Sequence, residues 1–256
     1  MSAKLYEGSH RDLFQLFLKL VDDSDAQIKA LLDLTTWEEV DSILSVGGGK
    51  GIVEATLLRQ ALPQAKMWYL DPSGEQCQAF RQYMQQENLL ERVEAITETT
   101  FQDYAVDQQF DRIVSMFSWF YIGTKEHWLY KLLSLLDTNG IACIVLPNID
   151  SIEADFNRRL SPDERTTLVG DELVQALETL PCEVSQHTYT KWIPIGDMLT
   201  RTEEACEASL AFAGFVALRS IDSFSTVEKQ QIVDLVKARQ EPDGVPMRWD
   251  VIVVRS

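Results

Sequence analysis

Residues 43–51, Ile-Leu-Ser-Val-Gly-Gly-Gly-Lys-Gly, confine this chain to few folds. A short apolar run stops at glycines 47, 48, 49 and 51, and a helical spacing follows at once, at Ile52, Ala55, Leu57 and Leu58. A strand, a tight turn and a helix start can together hold a nucleotide-like ligand, and glycine is needed where a Cβ would block the ligand's approach to the backbone. About twenty residues on, a second apolar run, Met67-Trp68-Tyr69-Leu70, ends in Asp71. An acid at the tip of the second strand can accept both hydroxyls of a ribose.

The letters of the loop separate the ligand classes that use such turns. A phosphate-cradling loop needs a hydroxyl after its lysine, but Lys50 is followed by Gly51 and Ile52. The dinucleotide fingerprint G-x-G-x-x-G would put its third glycine at position 52, which is Ile52. The glycines run G-x-G-x-G instead, at 47, 49 and 51. That spacing goes with S-adenosylmethionine, a ligand without a pyrophosphate. The alternative is a turn that serves chain geometry alone.

The 256 residues suffice for one large α/β domain, and with 45% hydrophobic and 25% charged residues a packed core is feasible. The formal charge of −17 repels nucleic-acid phosphates and anionic lipid, and the densest cationic spots, Arg158-Arg159 and Lys229/Lys237/Arg239, are interleaved with acids. The expected partner is a small neutral or cationic molecule, with neither nucleic acid nor membrane, and the chain is expected to be a monomer. Cys77, Cys143, Cys182 and Cys206 stand far apart, so no metal site or redox dithiol is expected. Met1–Gly8 lacks the apolar stretch of a signal peptide, and no run approaches the roughly 20 apolar residues of a membrane span. A soluble, cytoplasmic protein is expected.

Residues 10–34 read as two amphipathic helices, with Leu13, Phe14, Phe17, Leu18 and Val21 on one face and Ile28, Leu31 and Leu32 on another. Strands are then predicted at 42–46, 66–70, 92–96, 111–116 and 141–146, alternating with helices at 51–61, 73–86 and 126–136. Asn139-Gly140 reads as the turn into the fifth strand. Such alternation argues for a parallel sheet covered on both faces. Beyond Pro147, helices are predicted at 151–159 and 170–179, a strand at 182–192, helices at 200–213 and 225–239, and a closing strand at 249–254. Residues 1–36 are expected to form a helical lid and residues 196–240 a helical insertion capping the substrate, within one domain.

In an open parallel sheet, ligands bind beyond the carboxyl ends of the strands. The candidates there are Gly47, Gly48 and Gly49 after strand one, Asp71 and Pro72 after strand two, Thr99, Thr100 and Phe101 after strand three, and Met116 to Tyr121 after strand four. The aromatic stretch Phe117-Ser-Trp-Phe-Tyr121 suits an adenine face and a cationic sulfonium, or simply packs a strand end.

The pattern resembles a class I S-adenosylmethionine-dependent methyltransferase and is most similar to the histamine N-methyltransferase-like branch. The residues that carry the resemblance are Ile43-Leu-Ser-Val-Gly-Gly-Gly49, Asp71-Pro-Ser-Gly-Glu-Gln76, Glu98-Thr-Thr100, Phe120-Tyr-Ile122 before a helix, and Leu135-Leu-Asp-Thr-Asn-Gly140. Most class I members carry an acid two residues before the first glycine; here that place holds Ser45, as in the histamine-type branch. The resemblance spans about residues 12–255 and is strongest over 40–146. It implies a Rossmann-like α/β fold with a seven-stranded, mostly parallel sheet, an antiparallel last strand and a small helical cap. It implies S-adenosylmethionine as cofactor. Gly47 would pack on its methionine part, Asp71 would hold the ribose with Gln76 nearby, Thr100 would approach the adenine, and Met116 would lie near the sulfonium. Tyr121 would line the acceptor pocket. The family's amine-facing carboxylate best matches Asp25, which reads equally as a helix cap. A glutamine that contacts imidazole in the family corresponds to Phe117, and an asparagine before the final strand to Met247. Both departures point away from histamine and towards a bulkier or more apolar acceptor.

Methyl transfer from a sulfonium is an in-line displacement that an enzyme can promote by positioning and desolvation. A hydroxyl acceptor would need a strong general base, whereas a neutral nitrogen needs little help. The histidines are His10, His127 and His187. His127, which opens the helix after strand four, and Tyr121 are the candidate bases, with a capping or surface role as the alternative for His127. Tyr121, Tyr189, Trp192 and Asp197 could shape the pocket or pack ordinary strands and turns. The expected function is N-methylation of a small amine or imidazole-like nitrogen. The alternatives are O-methylation or another S-adenosylmethionine-dependent reaction of secondary metabolism, a non-catalytic cofactor-binding module, and a nicotinamide oxidoreductase. The last needs the glycine that position 52 lacks.

Overall fold

A computed structural model describes Leu16, Leu20 and residues 23–161, 168–217 and 219–256. Seven strands form one sheet in the order β3-β2-β1-β4-β5-β7-β6. They are β1 (Ser42–Val46), β2 (Lys66–Asp71), β3 (Val93–Glu98), β4 (Phe110–Met116), β5 (Leu136–Pro147), β6 (Glu183–Ile193) and β7 (Val245–Arg255). Strands β1 to β5 pair in parallel, and β7 runs antiparallel to both neighbours. The predicted sheet, with its reversed final strand, is what the chain forms. Its buried strands read as near-continuous apolar runs because helices cover both faces.

The helices divide cleanly between the faces. Helices α1 (Ser24–Leu34), α2 (Ile52–Gln60), α3 (Gly74–Gln86), α5 (Ile152–Leu160), α7 (Glu207–Ala217) and α8 (Thr226–Ala238) share one apolar cluster. Helices α4 (Glu126–Ser134) and α6 (Gly170–Leu177) belong to the other. The connection after β1 therefore lies on one face and the connection after β4 on the other. Neighbouring strands whose connections part in this way open a crevice at their carboxyl ends.

Three boundaries depart from the pattern of the sequence. Strand β5 begins at Leu136, pairs with Phe110, and shifts register before Arg112↔Ile141, so Asn139-Gly140 sits in a bulge rather than a turn. A Cβ on Gly140 would lie 2.8 Å from the Phe110 carbonyl oxygen, which is why glycine stands there. Strand β7 starts at Val245, because pairing to Ile193 carries it through Pro246 and Arg248, residues that break the apolar run. The helix expected over 200–213 is Glu207–Ala217; ahead of it Thr200 Oγ1 accepts from the Glu204 amide, a local bond that competes with helix. The first predicted N-terminal helix falls outside the described residues except for Leu16 and Leu20, both helical; the second is α1.

The β6–β7 ribbon outgrows the sheet. Trp249 pairs with Pro147 at the tip of β5, yet β6 and β7 stay paired as far as Ile193↔Val245. Those four further residues carry the ribbon about 13 Å past the carboxyl edge, given a strand's rise of roughly 3.3 Å per residue. Residues 194–244, including α7 and α8, leave from that outer end.

Asp155 of α5 ties these helices back. Its Oδ2 accepts from Arg239 Nε at 2.6 Å and its Oδ1 from Arg158 at 2.7 Å. Burial alone would raise this carboxyl, but the hydrogen bonds and charges of Arg239 and Arg158 hold it below the usual value. A depressed carboxyl stabilises the fold above its unfolded pKa, and that contribution is lost as pH falls through the folded value. Urea melts should therefore find Asp155→Ala less stable by about 2 kcal/mol at pH 7, with the gap narrowing as pH falls below the ordinary aspartate value.

Candidate active site

The crevice between β1 and β4 is built on the glycine loop. Gly47 (φ +66°) and Gly49 (φ +56°) are left-handed, a backbone that side chains disfavour. The Gly47 amide donates to the Leu70 carbonyl at 2.8 Å, which fixes the loop to the end of β2. A Cβ on Gly47 would lie 2.5 Å from Ser118 Cβ. Ser118 is held there because its hydroxyl donates to the Val46 carbonyl at 2.5 Å and lies 2.6 Å from the Ser115 hydroxyl. Phe117, just before it, has φ +49°, a strained conformation for an aromatic residue, and its amide donates to the Val145 carbonyl at 3.0 Å. The tips of β1 and β4 thus meet through Gly47 and Ser118.

Asp71, the last residue of β2, is buried at 5% exposure. Its Oδ1 accepts from the Ser73 amide at 2.8 Å, and the Tyr69 hydroxyl lies 3.4 Å from Oδ2 while donating to the Gly49 carbonyl at 2.8 Å. Burial raises the Asp71 carboxyl, against the opposing hydrogen bonds from Ser73, Tyr69 and Gly49. Helix α3 starts beside it: Ser73 caps the helix by accepting from the Gln76 amide, and Gln76 Oε1 lies 3.8 Å from where a Gly49 Cβ would be. Gly47, Gly48, Gly49, Asp71 and Gln76 are therefore one constellation, as their spacing predicts. Pro72 turns outward to solvent. The Thr99 amide donates to the Asp71 carbonyl at 3.1 Å, and Thr100 caps the next turn through Asp103.

A residue absent from the sequence-based expectation lies beneath this loop. Glu54 of α2 is buried at 1% exposure, and its Oε1 accepts from the Ser45 hydroxyl at 3.0 Å. Burial is the chief cause that raises its carboxyl to about 7. The one trace of it in the sequence is an acid inside the apolar run Ile52-Val-Glu-Ala-Thr-Leu-Leu58, a trace that a first-turn acid also leaves when it is exposed.

The acceptor-side candidates scatter more widely. Met116, Phe117 and Tyr121 are half-buried at the β4 tip, with the Tyr121 ring 4.3 Å from that of Phe120. Met247 is buried on the outer part of β7. Trp192 pairs with Pro246 and Met247 with Lys191, so Trp192 and Met247 leave opposite faces of the ribbon. Asp25 is exposed in the first turn of α1, whose N-cap is Asp23, so it is not the cap. His127 is exposed on α4, its ring 4.1 Å from that of Trp128, and His187 sits well down β6 opposite Val251, 3.2 Å from Ser185 Oγ. The edge of α3 and β3 forms a groove of about 440 Å³ lined by Gly74, Cys77, Arg81 and Glu98, adjacent to Asp71. Among the described residues no group of three His, Cys, Asp or Glu is placed to hold a metal ion, and no helix is long and apolar enough to cross a membrane.

Residues 43–140, which hold β1 to β4, the glycine loop and Asp71, match the family model described as a methyltransferase domain. No curated protein matches the sequence significantly. Solved structures share the architecture at low identity. A provisionally assigned methyltransferase from Bacillus halodurans C-125 superposes with a TM-score of 0.64 at 13% identity, covering 90% of this chain and 98% of its own. The plantazolicin methyltransferase in complex with SAH gives 0.58 at 19% identity over 99% and 93% of the two chains. Coclaurine N-methyltransferase bound to N-methylheliamine and SAH gives 0.60 at 12% identity over 91% and 72%. The match places a methyltransferase domain over residues 43–140, and the solved methyltransferase structures share the fold of the chain. The site fits S-adenosylmethionine, the cofactor that the sequence resemblance implies: a buried carboxylate for a diol and a backbone turn kept free of side chains.

Proposed function

We propose that the protein N-methylates a small, partly apolar amine or imidazole-like nitrogen. The observation that carries this reading is the β4 tip, where Met116 and the left-handed Phe117 lead into Ser118, which meets the Gly47 backbone, with the half-buried Tyr121 three residues on. Aromatic faces and a thioether attract a cationic sulfonium and an amine alike, and they exclude water from both. The cofactor supplies an activated methyl group. The chain's own part is to orient: Asp71 and Gln76 would hold the ribose, Thr99 and Thr100 would flank the adenine, and Met116 and Phe117 would lie along the transfer line.

With the cofactor held there, its methyl group would be available to a nitrogen lone pair, the bonding electrons staying on its sulfur. The acceptor nitrogen must arrive neutral and releases its proton afterwards. His127 faces solvent and His187 lies low on β6, which favours an acceptor that brings its own lone pair over a hydroxyl that needs a base. Residues 194–244 leave from the outer end of the ribbon and would cap the acceptor, with Met247 on one ribbon face and Trp192 on the other; Asp25 would meet a cationic group on the acceptor. The likeness to coclaurine N-methyltransferase supports a nitrogen acceptor, and the histamine N-methyltransferase-like branch remains our reading of the sequence. The acidic surface favours a small-molecule partner over nucleic acid, and a cytoplasmic monomer is the simplest setting.

Radiolabelled methyl transfer to a panel of aryl-alkyl amines, imidazoles and phenols tests the reading. Turnover is expected on a neutral-nitrogen acceptor with apolar bulk, and Phe117→Ala should raise KM for it about tenfold by removing an aromatic wall. Turnover confined to phenols would replace this reading with O-methylation.

A further inference from the structure

Beneath the glycine loop lies a pair of buried acids with no cation beside them. Glu54 Oε1 would sit 2.2 Å from a Cβ on Gly48, so the carboxyl is pressed against that glycine's backbone. Ser45 occupies the loop's customary acidic position and donates to Glu54 at 3.0 Å. Glu54 Oε2 is buried and has no hydrogen-bond partner. The groups facing it are Ser45 of β1 and Tyr69 and Asp71 of β2, with the Cys77 thiol of α3 next to Asp71. All are neutral or acidic. Lys50, the cation of the loop, is exposed and sits over the Tyr83 ring at 5.4 Å.

An unpaired carboxyl in such a place is costly, and its neighbours offer nothing to neutralise it. S-adenosylmethionine, held as the resemblance implies with its methionine part on Gly47, would bring an ammonium and a sulfonium to the same loop. We propose that Glu54 is the relocated acid of the cofactor site: a positioning residue that acts through the Gly48 backbone, ionises as the cationic cofactor arrives, and favours the sulfonium form over the spent thioether. It rests on the cofactor assignment and extends it to a residue outside the usual motif. The Ser45–Glu54 pair does in two residues what one acid does two places before the first glycine.

Titration calorimetry over pH 6–8, in two buffers of different ionisation enthalpy, tests this. In the wild type, Glu54 begins largely protonated at pH 6, so cofactor binding should release close to one proton there and affinity should climb as pH rises through about 7. The cofactor's own amine also titrates near pH 8, but it does so equally in every variant. Glu54→Gln should bind S-adenosylmethionine about tenfold more weakly at pH 8, lose less for S-adenosylhomocysteine, and release no proton at pH 6. The same variant should melt higher than wild type without ligand at pH 8, because it no longer buries a charge; a merely structural carboxyl would give no gain. Ser45→Asp added to Glu54→Gln should restore affinity. Ser45→Ala alone should move the pH midpoint upward, since the serine hydrogen bond favours the ionised form. Equal affinity and equal proton release in wild type and Glu54→Gln would overturn the proposal while leaving the cofactor assignment intact. A wild type that binds neither ligand would overturn both.

Discussion

Asp71→Ala should weaken S-adenosylmethionine binding by about 3 kcal/mol, on the order of a hundredfold in Kd. Two losses combine. The ribose would lose a buried anionic acceptor, and the loop would lose its tie, since Asp71 Oδ1 holds the Ser73 amide at 2.8 Å and Tyr69 links Oδ2 to the Gly49 carbonyl. Asp71→Asn keeps one acceptor oxygen and should cost about tenfold. The ligand-free fold should respond differently. Burial raises the Asp71 carboxyl in the folded state, so ionising it above the ordinary aspartate range works against folding. Asp71→Asn should accordingly melt no lower than wild type at pH 7 while binding the cofactor more weakly. Calorimetry with S-adenosylhomocysteine and a thermal melt of the same sample read the two effects separately. Unchanged affinity in Asp71→Ala would remove the residue from the site.

Local chemistry made this half of the site legible in the sequence. An apolar run, glycines at fixed offsets and an acid after the next run are all decided within about 30 residues, the length of one βα unit. Gln76 joined the group through the cap at Ser73, again a short-range device. What stayed hidden depends on register or burial. Trp192 and Met247 read alike as apolar residues near the last two strands, and only the pairing of Trp192 with Pro246 reveals that they leave opposite faces. The extension of β7 to Val245 is imposed by β6, against the local preference of Pro246 and Arg248. Glu54 looked like an ordinary acid in the first turn of a helix, a place that favours negative charge. Its burial follows from the glycine beside it: with no Cβ at Gly48, α2 can turn its first-turn acid inward under the loop. The left-handed Phe117 has no sequence signature, since an aromatic residue is among the last choices for that conformation.

Gly51→Ala should destabilise the protein by about 3 kcal/mol and lower Tm by roughly 10 °C. Gly51 is the N-cap of α2 at φ +92°, where a Cβ carries strain of about 1–2 kcal/mol by itself. That Cβ would also lie 2.5 Å from Phe80 Cδ2 and 3.3 Å from Met84 Cε, both on α3. Phe80 is fully buried and cannot retreat freely: its ring stacks on Tyr69 with centroids 3.8 Å apart. The collision is thereby passed to the residue whose hydroxyl links Asp71 to Gly49. Two consequences can be measured together. In a Phe80→Ala background the added cost of Gly51→Ala should shrink to the strain alone, giving a coupling energy of about 1–2 kcal/mol in a double-mutant cycle. Cofactor affinity should fall in Gly51→Ala even though Gly51 is not expected to touch the cofactor, because moving Phe80 displaces Tyr69. Equal costs in both backgrounds would mean that backbone strain acts alone, and α3 would then be a neighbour of the site rather than its support. A positive coupling with weakened binding makes the stack of Gly51, Phe80 and Tyr69 the means by which the packing of two helices sets the position of the ribose carboxylate.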